Sequence, residues 1–128
     1  MPLVPGLLAS IDHVITDADM AHALGTGDVP VLATPQVVLL AERATVVAVE
    51  GNVPEEFTTV GYRVQLDHLA PVPLGDKVTA DAILESIEGR RLVFRVSVKY
   101  HGGLVAAGRI TRVVVERARF LEKAQAPT

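Results

Sequence analysis

The sequence predicts an α+β fold in which a curved antiparallel sheet closes around one long apolar helix. Three observations carry that prediction. Residues 34–51, TPQVVLLAERATVVAVEG, have helical signals and are apolar on every side rather than along one stripe, as suits a helix buried under a sheet. From residue 58 onward the apolar positions switch to a period of two, in four runs separated by short turns. Hydrophobic residues make up 49% of the 128 residues and aromatic residues only 4%, so the core is expected to be built of Val, Leu and Ala.

The elements follow in order. Residues 7–15, LLASIDHVI, alternate as a first strand with Ala9, Ile11, His13 and Ile15 on one face. Residues 16–24 read as one short helix, capped by Thr16 or Asp17 and ended by Gly25. GTGDVPVLA is a loop, rich in glycine and interrupted by Pro30. In the main helix Thr34 is expected at the N-cap and Pro35 at the first helical position, where its missing N–H costs nothing. Gly51 suits the left-handed position past the far end. The polar connection NVPEEF leads into residues 58–69, with Val60, Tyr62, Val64, Leu66 and His68 on one face and Thr59, Arg63, Gln65 and Asp67 on the other.

PVPLGD turns into KVTADAILESIE, a strand with Val78, Ala80, Ala82 and Leu84 in register. RRLVFRVSVKY sets Leu92, Phe94, Val96, Val98 and Tyr100 against Arg95, Ser97 and Lys99. HGG turns the chain into LVAAGRITRVVVE, where parity places Arg112 with Leu104, Ala106, Gly108 and Ile110. RARFLEKA reads as a short terminal helix, and QAPT is expected to fray. No repeat, low-complexity tract or linker interrupts residues 1–128, so one domain is expected. An antiparallel sheet with one apolar face needs a cover and an all-apolar helix needs a wrapping. Folding the one around the other, the hot-dog arrangement, meets both needs.

Composition excludes several classes. A formal net charge of −3 gives no electrostatic case for nucleic acid or an anionic membrane as partner. With no cysteine there is no disulfide framework, no thiolate nucleophile and no Cys-based zinc site, which fits a cytoplasmic location. The start, MPLVPGLLASIDH, has no basic n-region and no apolar run long enough for a signal or a membrane span. His13, His22 and His101 show no metal-ligand spacing. GTGDVP lacks the lysine of a phosphate loop, and no GxSxG accompanies HGG. Arg90 and Arg91 read as a solvated strand start.

Three polar residues fall on faces that should be apolar: Glu42, His68 and Arg112. Each has a structural reading. His68 can be a hydrogen-bonded strand-end residue, Glu42 can meet an arginine at a subunit interface, and Arg112 can snorkel from the strand end. Thr34 needs no role beyond capping. Taken together they suggest more. No basic residue lies three or four positions from Glu42, so its carboxylate must be received from outside the helix. A carboxylate and an imidazole facing one sheet–helix seam are the groups general acid–base chemistry needs. A helix start adds unpaired N–H groups able to hold a carbonyl oxygen as it becomes negative. Eight helical residues rise about 12 Å, so Thr34 and Glu42 of one chain should not touch. A two-fold dimer would join the helix mouth of one subunit to the glutamate of the other.

The segments VPVLATP, VVLLAERATV, TTVGYRVQLDHLAPVPLGDKVTADA, EGRRLVFRVSV and GRITRVVVERARFL resemble the fluoroacetyl-CoA thioesterase-like family of hot-dog acyl-CoA thioesterases, from about residue 12 to residue 121. The most specific pieces are the threonine before the helix, the glutamate eight residues on, and the histidine followed by A-P-x-P-x-G. The resemblance implies a homodimer, which can pair again into a tetramer, hydrolysing a short-chain acyl-CoA without metal or organic cofactor. It places Thr34, Glu42 and His68 at the family's catalytic positions and Gly61 and Arg112 at positions lining the acyl end of the pocket. The chain departs from the fluoroacetyl-specific member at Gly25, Thr26, Gly27 and Asp28, where that member carries a phenylalanine-lined lid. The alternatives are a non-catalytic acyl-CoA-binding module and a hot-dog hydratase or dehydratase; the Asp-x5-His pattern expected of the latter is absent.

Overall fold

The computed structural model describes residues 3–125; the end of the QAPT segment lies outside the described residues. The strands are β1 (Leu8–Val14), β2 (Phe57–His68), β3 (Lys77–Glu88), β4 (Arg91–Tyr100) and β5 (Gly103–Glu116). The helices are α1 (Ala21–Leu24), α2 (Thr34–Ala48) and α3 (Arg117–Gln125), with a 3-10 turn at Asp17–Asp19. All pairings are antiparallel, in the order β1-β3-β4-β5-β2, so β1 and β2 are the two sheet edges. The chain crosses from one edge to the other through α2, which lies on one face of the sheet and touches all five strands. This is the α+β, helix-wrapping architecture expected from the sequence.

The period-two pattern of β3 and β4 packs as expected: Val78, Ala80, Ala82, Leu84, Leu92, Phe94, Val96 and Val98 are each at most 3% exposed. They form one core with Val37, Leu40, Ala41, Ala44 and Ala48 of α2. Each fully buried Val or Leu contributes about 1.5–3 kcal/mol relative to exposure. The i, i+3, i+4 spacing of those helical residues defines a single buried stripe, which corrects the expectation of a helix buried all round. Leu39, Val46 and Val47 remain about 40% exposed on its other side.

Helix ends differ from expectation in instructive ways. The N-cap of α2 is Ala33 (φ −74°, ψ 144°), and Thr34 is already helical. The Ala33 carbonyl accepts from the N–H groups of Gln36 and Val37, so capping is met by backbone and the Thr34 hydroxyl is released for another partner. Gly51 does take the left-handed conformation (φ 80°), but α2 has already ended at Ala48. The single helix expected over residues 16–24 is broken at Met20, whose extended backbone forms an isolated bridge to Leu32.

Three register shifts redirect side chains. In β2, Gly61 pairs with Arg112 and Arg63 with Thr111, leaving Tyr62 as the extra residue. Tyr62 therefore turns outward, where its ring lies 4.6 Å from the Arg91 guanidinium carbon, and Thr59 shares the inner face with Arg112; both were expected on the opposite faces. In β5 the extra residue is Val105, so Leu104 turns out to 46% exposure while Val105 is buried. In β3 the extra residue is Glu85. None of these shifts leaves a mark in hydrophobic periodicity.

Candidate active site

The sequence-selected residues form two groups. At the mouth of α2, Thr34 Oγ1 lies 2.8 Å from His68 Nδ1, joining the helix start to the end of β2. The Nε2 atom of His68 is buried and has no hydrogen-bond partner among the described residues. The helix mouth supplies less than its four nominal orphan amides. Pro35 has no N–H, and those of Gln36 and Val37 are taken by Ala33, which leaves the Thr34 N–H uncommitted. A cleft of about 370 Å³ opens beside Thr34 and His68, walled by the loop that precedes α2 and by residues 69–71.

Two turns along α2, Glu42 meets Arg112 of β5. Arg112 Nη1 donates to Glu42 Oε2 at 3.1 Å, while Nε and Nη2 donate to the side chain and carbonyl of Thr59, each at 2.9 Å. Arg112 does not snorkel: it is 7% exposed, and its donors are satisfied inward. Burial pulls its guanidinium below the ordinary value, against the opposing pull of Glu42. Arginine stays charged under such a shift, so the pair is ionic on the guanidinium side. Gly61 gives the carboxylate its room here, because a Cβ there would lie 2.6 Å from Glu42 Oε2 and push the end of that side chain aside. The other carboxylate oxygen, Oε1, accepts no hydrogen bond among the described residues and is not buried. Thus Gly61, Arg112, Thr59 and Glu42 come together, Thr34 and His68 come together, and the helical rise keeps the two groups about 12 Å apart within one chain.

Sequence reasoning missed Thr59, which parity had put on the outer face, and Asp19. Asp19 is 4% exposed and accepts from the Thr16 N–H and hydroxyl, from Gln36 Nε2 at 2.8 Å, and shares a 2.9 Å contact with His13 Nε2. Burial alone would raise its pKa, but the Thr16 amide, Gln36, His13 and the Thr16 hydroxyl outweigh it and hold the carboxyl down at about 2. Its carbonyl also receives the Ala33 N–H. Asp19 thereby fixes the residue that caps α2. The Thr-x-x-Asp spacing of Thr16 and Asp19, a capping-box signature, was the available signal. Among the described residues no three His, Asp or Glu side chains are grouped to hold a metal ion, and no helix is long and apolar enough to cross a membrane.

With the geometry in view, comparison with known proteins defines the class. A family model described as fluoroacetyl-CoA-specific thioesterase matches residues 15–118. The fluoroacetyl-CoA thioesterase of Streptantibioticus cattleyicolor is 35% identical over 100 residues, covering 77% of this chain and 70% of that one. The solved structure of a fluoroacetyl-CoA thioesterase superposes with a TM-score of 0.89 at 28% identity, covering 99% of this chain and 100% of the other. A thioesterase superfamily member from Thermus thermophilus superposes with a TM-score of 0.90 at 28% identity, covering 97% and 92%. The class is the hot-dog fold thioester hydrolases. Within that class, the chain belongs to the fluoroacetyl-CoA-specific thioesterase family.

Proposed function

We propose that the chain hydrolyses a short-chain acyl-CoA to free acid and CoA, one domain per subunit, at sites shared between two copies. The observation that carries this reading is the Thr34–His68 hydrogen bond beside an uncommitted Thr34 amide. A thioester carbonyl placed there meets an N–H donor for its developing negative charge and an imidazole beside it for the departing sulfur. What that half-site lacks is a base for the attacking water, or a nucleophile, and the oxygen without a partner on Glu42 is the nearest chemistry of that kind. Glu42 of the partner subunit takes a proton from water as the water oxygen bonds to the carbonyl carbon, or attacks that carbon itself to give a mixed anhydride that water then hydrolyses to the free acid. Arg112 holds its other oxygen and Gly61 leaves room for it, and the carbon–sulfur bond breaks with His68 delivering a proton to the thiolate, replaced by the one the water gives up. Every step is carried by the chain's own groups.

The shared site has support in the free surface. Strand β2 is a sheet edge whose middle, Gly61–Gln65, is exposed, and Leu39, Val46 and Val47 leave one side of α2 apolar and uncovered. Pairing two β2 strands antiparallel about Gln65, with Tyr62 looped out of each, sets Gly61 opposite His68 of the partner subunit. Both residues lie on the inner face, since their β5 partners are Arg112 and Ala106. That register brings Glu42 of one copy to the helix mouth of the other and makes two equivalent sites.

The test is thiol release from acetyl-CoA and a panel of short acyl-CoAs, with wild type beside Glu42→Ala. Turnover in wild type and its loss in the variant are expected. Equal, negligible release by both, with acyl-CoA still bound, would establish a binding module instead.

A further inference from the structure

Along the outer face of the sheet, neighbouring strands pair their charges. Lys77 meets Asp12, Lys99 meets Asp81, and Arg95 and Arg109 both meet Glu85, at distances between 2.9 and 3.8 Å. The free edge breaks this pattern. Arg63 and Asp67 of β2 belong to the same outer face, as their β5 partners Thr111 and Ala107 show, and both are exposed. Neither meets an opposite charge among the described residues. Arg63 lies over the Tyr62 ring, 5.5 Å from its centroid, a contact that leaves its charge unopposed. Gln65 stands midway between the two.

A second copy of the chain is the occupant this edge fits. In antiparallel pairing, residues opposite one another share a face, so a two-fold pairing of β2 with itself is centred on a residue. Centred on Val64, it sets Arg63 against the partner subunit's Gln65; centred on Leu66, it sets Asp67 against that glutamine. Centred on Arg63 or on Asp67, it sets like charge against like. Centred on Gln65, it sets Arg63 of each copy against Asp67 of the other, twice per dimer. This is the register that brings Gly61 opposite the partner subunit's His68, and the charges select it without reference to the site.

Resting on the shared-site reading, we propose that Arg63 and Asp67 set the register of the interface between two copies and so position the two halves of each site. Both are positioning residues, on the face of the sheet opposite the reacting groups. The uncovered apolar side chains of Leu39, Val46 and Val47 favour association without fixing where the strands stop sliding. A slip of two residues keeps every side chain on its own face, so burial alone does not forbid it. Opposite charges directly across the pairing favour one stop, and like or missing charges disfavour the others.

The experiment traps the register. The chain has no cysteine, so one introduced thiol can cross-link only to its copy. Directly opposed Cα atoms lie about 5 Å apart, within disulfide reach, whereas atoms two residues out of line lie about 8 Å apart, beyond it. Gln65→Cys should give a covalent dimer on mild oxidation, and Val64→Cys and Leu66→Cys should not. Added to Gln65→Cys, either Arg63→Asp or Asp67→Arg should cut the cross-linked yield, and the two together should restore it. Without the cysteine, each single reversal should raise the dimer Kd roughly ten-fold or more, because the reversed pair occurs twice, and the effect should shrink in high salt. The double exchange keeps the net charge, so its recovery reports the pair itself. Thiol release from acyl-CoA should fall and return with it. Efficient cross-linking at Gln65 that ignores the charge changes overturns the proposal and leaves the shared site standing. Cross-linking at Val64 or Leu66 instead, or none at all, overturns the proposal together with that register. Cross-linking that follows the charges in a protein turning over no acyl-CoA upholds the proposal and removes the hydrolytic reading alone.

Discussion

The shared-site reading can be tested by combining two dead enzymes. Thr34 and Glu42 lie eight residues apart on α2, about 12 Å by helical rise, whereas groups that act on one reacting carbon must approach within about 3.5 Å of it. Neither side chain bridges that gap, so on the shared-site reading each chain supplies half of each site. Thr34→Ala and Glu42→Ala homodimers should both be inactive. Co-expressed in equal amounts they assort so that about half the dimers are mixed, and each mixed dimer has one site with both residues intact and one with neither. Activity of the unfractionated mixture should return to about a quarter of wild type, read as thiol release. The mixed dimers, isolated through two different affinity tags, should reach about half. If isolated mixed dimers are as inactive as the parents, the two residues do not serve one site across the subunits.

Three further outcomes follow from the geometry. His68→Ala should lower kcat by roughly 10²-fold, the usual effect of losing one general catalyst, in a variant whose Tm shows it folded; unchanged turnover would return His68 to a structural role. Gly61→Ala should lower kcat about ten-fold while changing stability by about 1 kcal/mol or less, because its Cβ displaces only the end of the Glu42 side chain at 2.6 Å; kinetics and denaturant unfolding on the same sample check both halves. Asp19 has a folded pKa of about 2 against an ordinary 3.8, so its contribution of about 2 kcal/mol is present above pH 4 and lost as pH falls through 2. Asp19→Ala should remove that slope from urea midpoints measured between pH 2 and pH 5, and a slope that persists would move the acid sensitivity to another carboxylate.

The layout of the fold was readable because its two strongest signals are non-local in character. Fifteen residues of helix-compatible apolar chain need a cover, and the four runs of period-two alternation supply one. Both follow from burial rather than from turn detail. The candidate site was half readable for the same reason: Glu42, His68 and Arg112 stand out as polar groups among buried neighbours. What escaped was set by backbone geometry. Tyr62 and Leu104 sit beside register shifts that no side-chain pattern announces, so parity counted through them placed Tyr62, Thr59 and Leu104 on the wrong faces. Thr34 looked like a cap because threonine at a helix start usually is one; the Ala33 carbonyl took that duty, and only a residue 34 positions away, His68, revealed the hydroxyl's use. Asp19 was overlooked because an acid in a short helix reads as solvated, whereas four donors from Thr16, Gln36 and His13 converge on it.

The extra residue at Tyr62 governs more than the tyrosine. Gly61 and His68 are seven positions apart, an odd interval, and an uninterrupted strand would send them to opposite sides of the sheet. One supernumerary residue lets a single strand serve the glutamate at one end and the threonine at the other. Excising Tyr62 would straighten the ladder and leave the glycine and the histidine six positions apart, an even interval that keeps both on the inner side. Flattening the kink while keeping all the residues would instead turn one of them out toward solvent, while every hydrophobic run kept its composition. For anyone shortening, grafting or recombining this strand, the seven-position interval and the looped-out residue belong together.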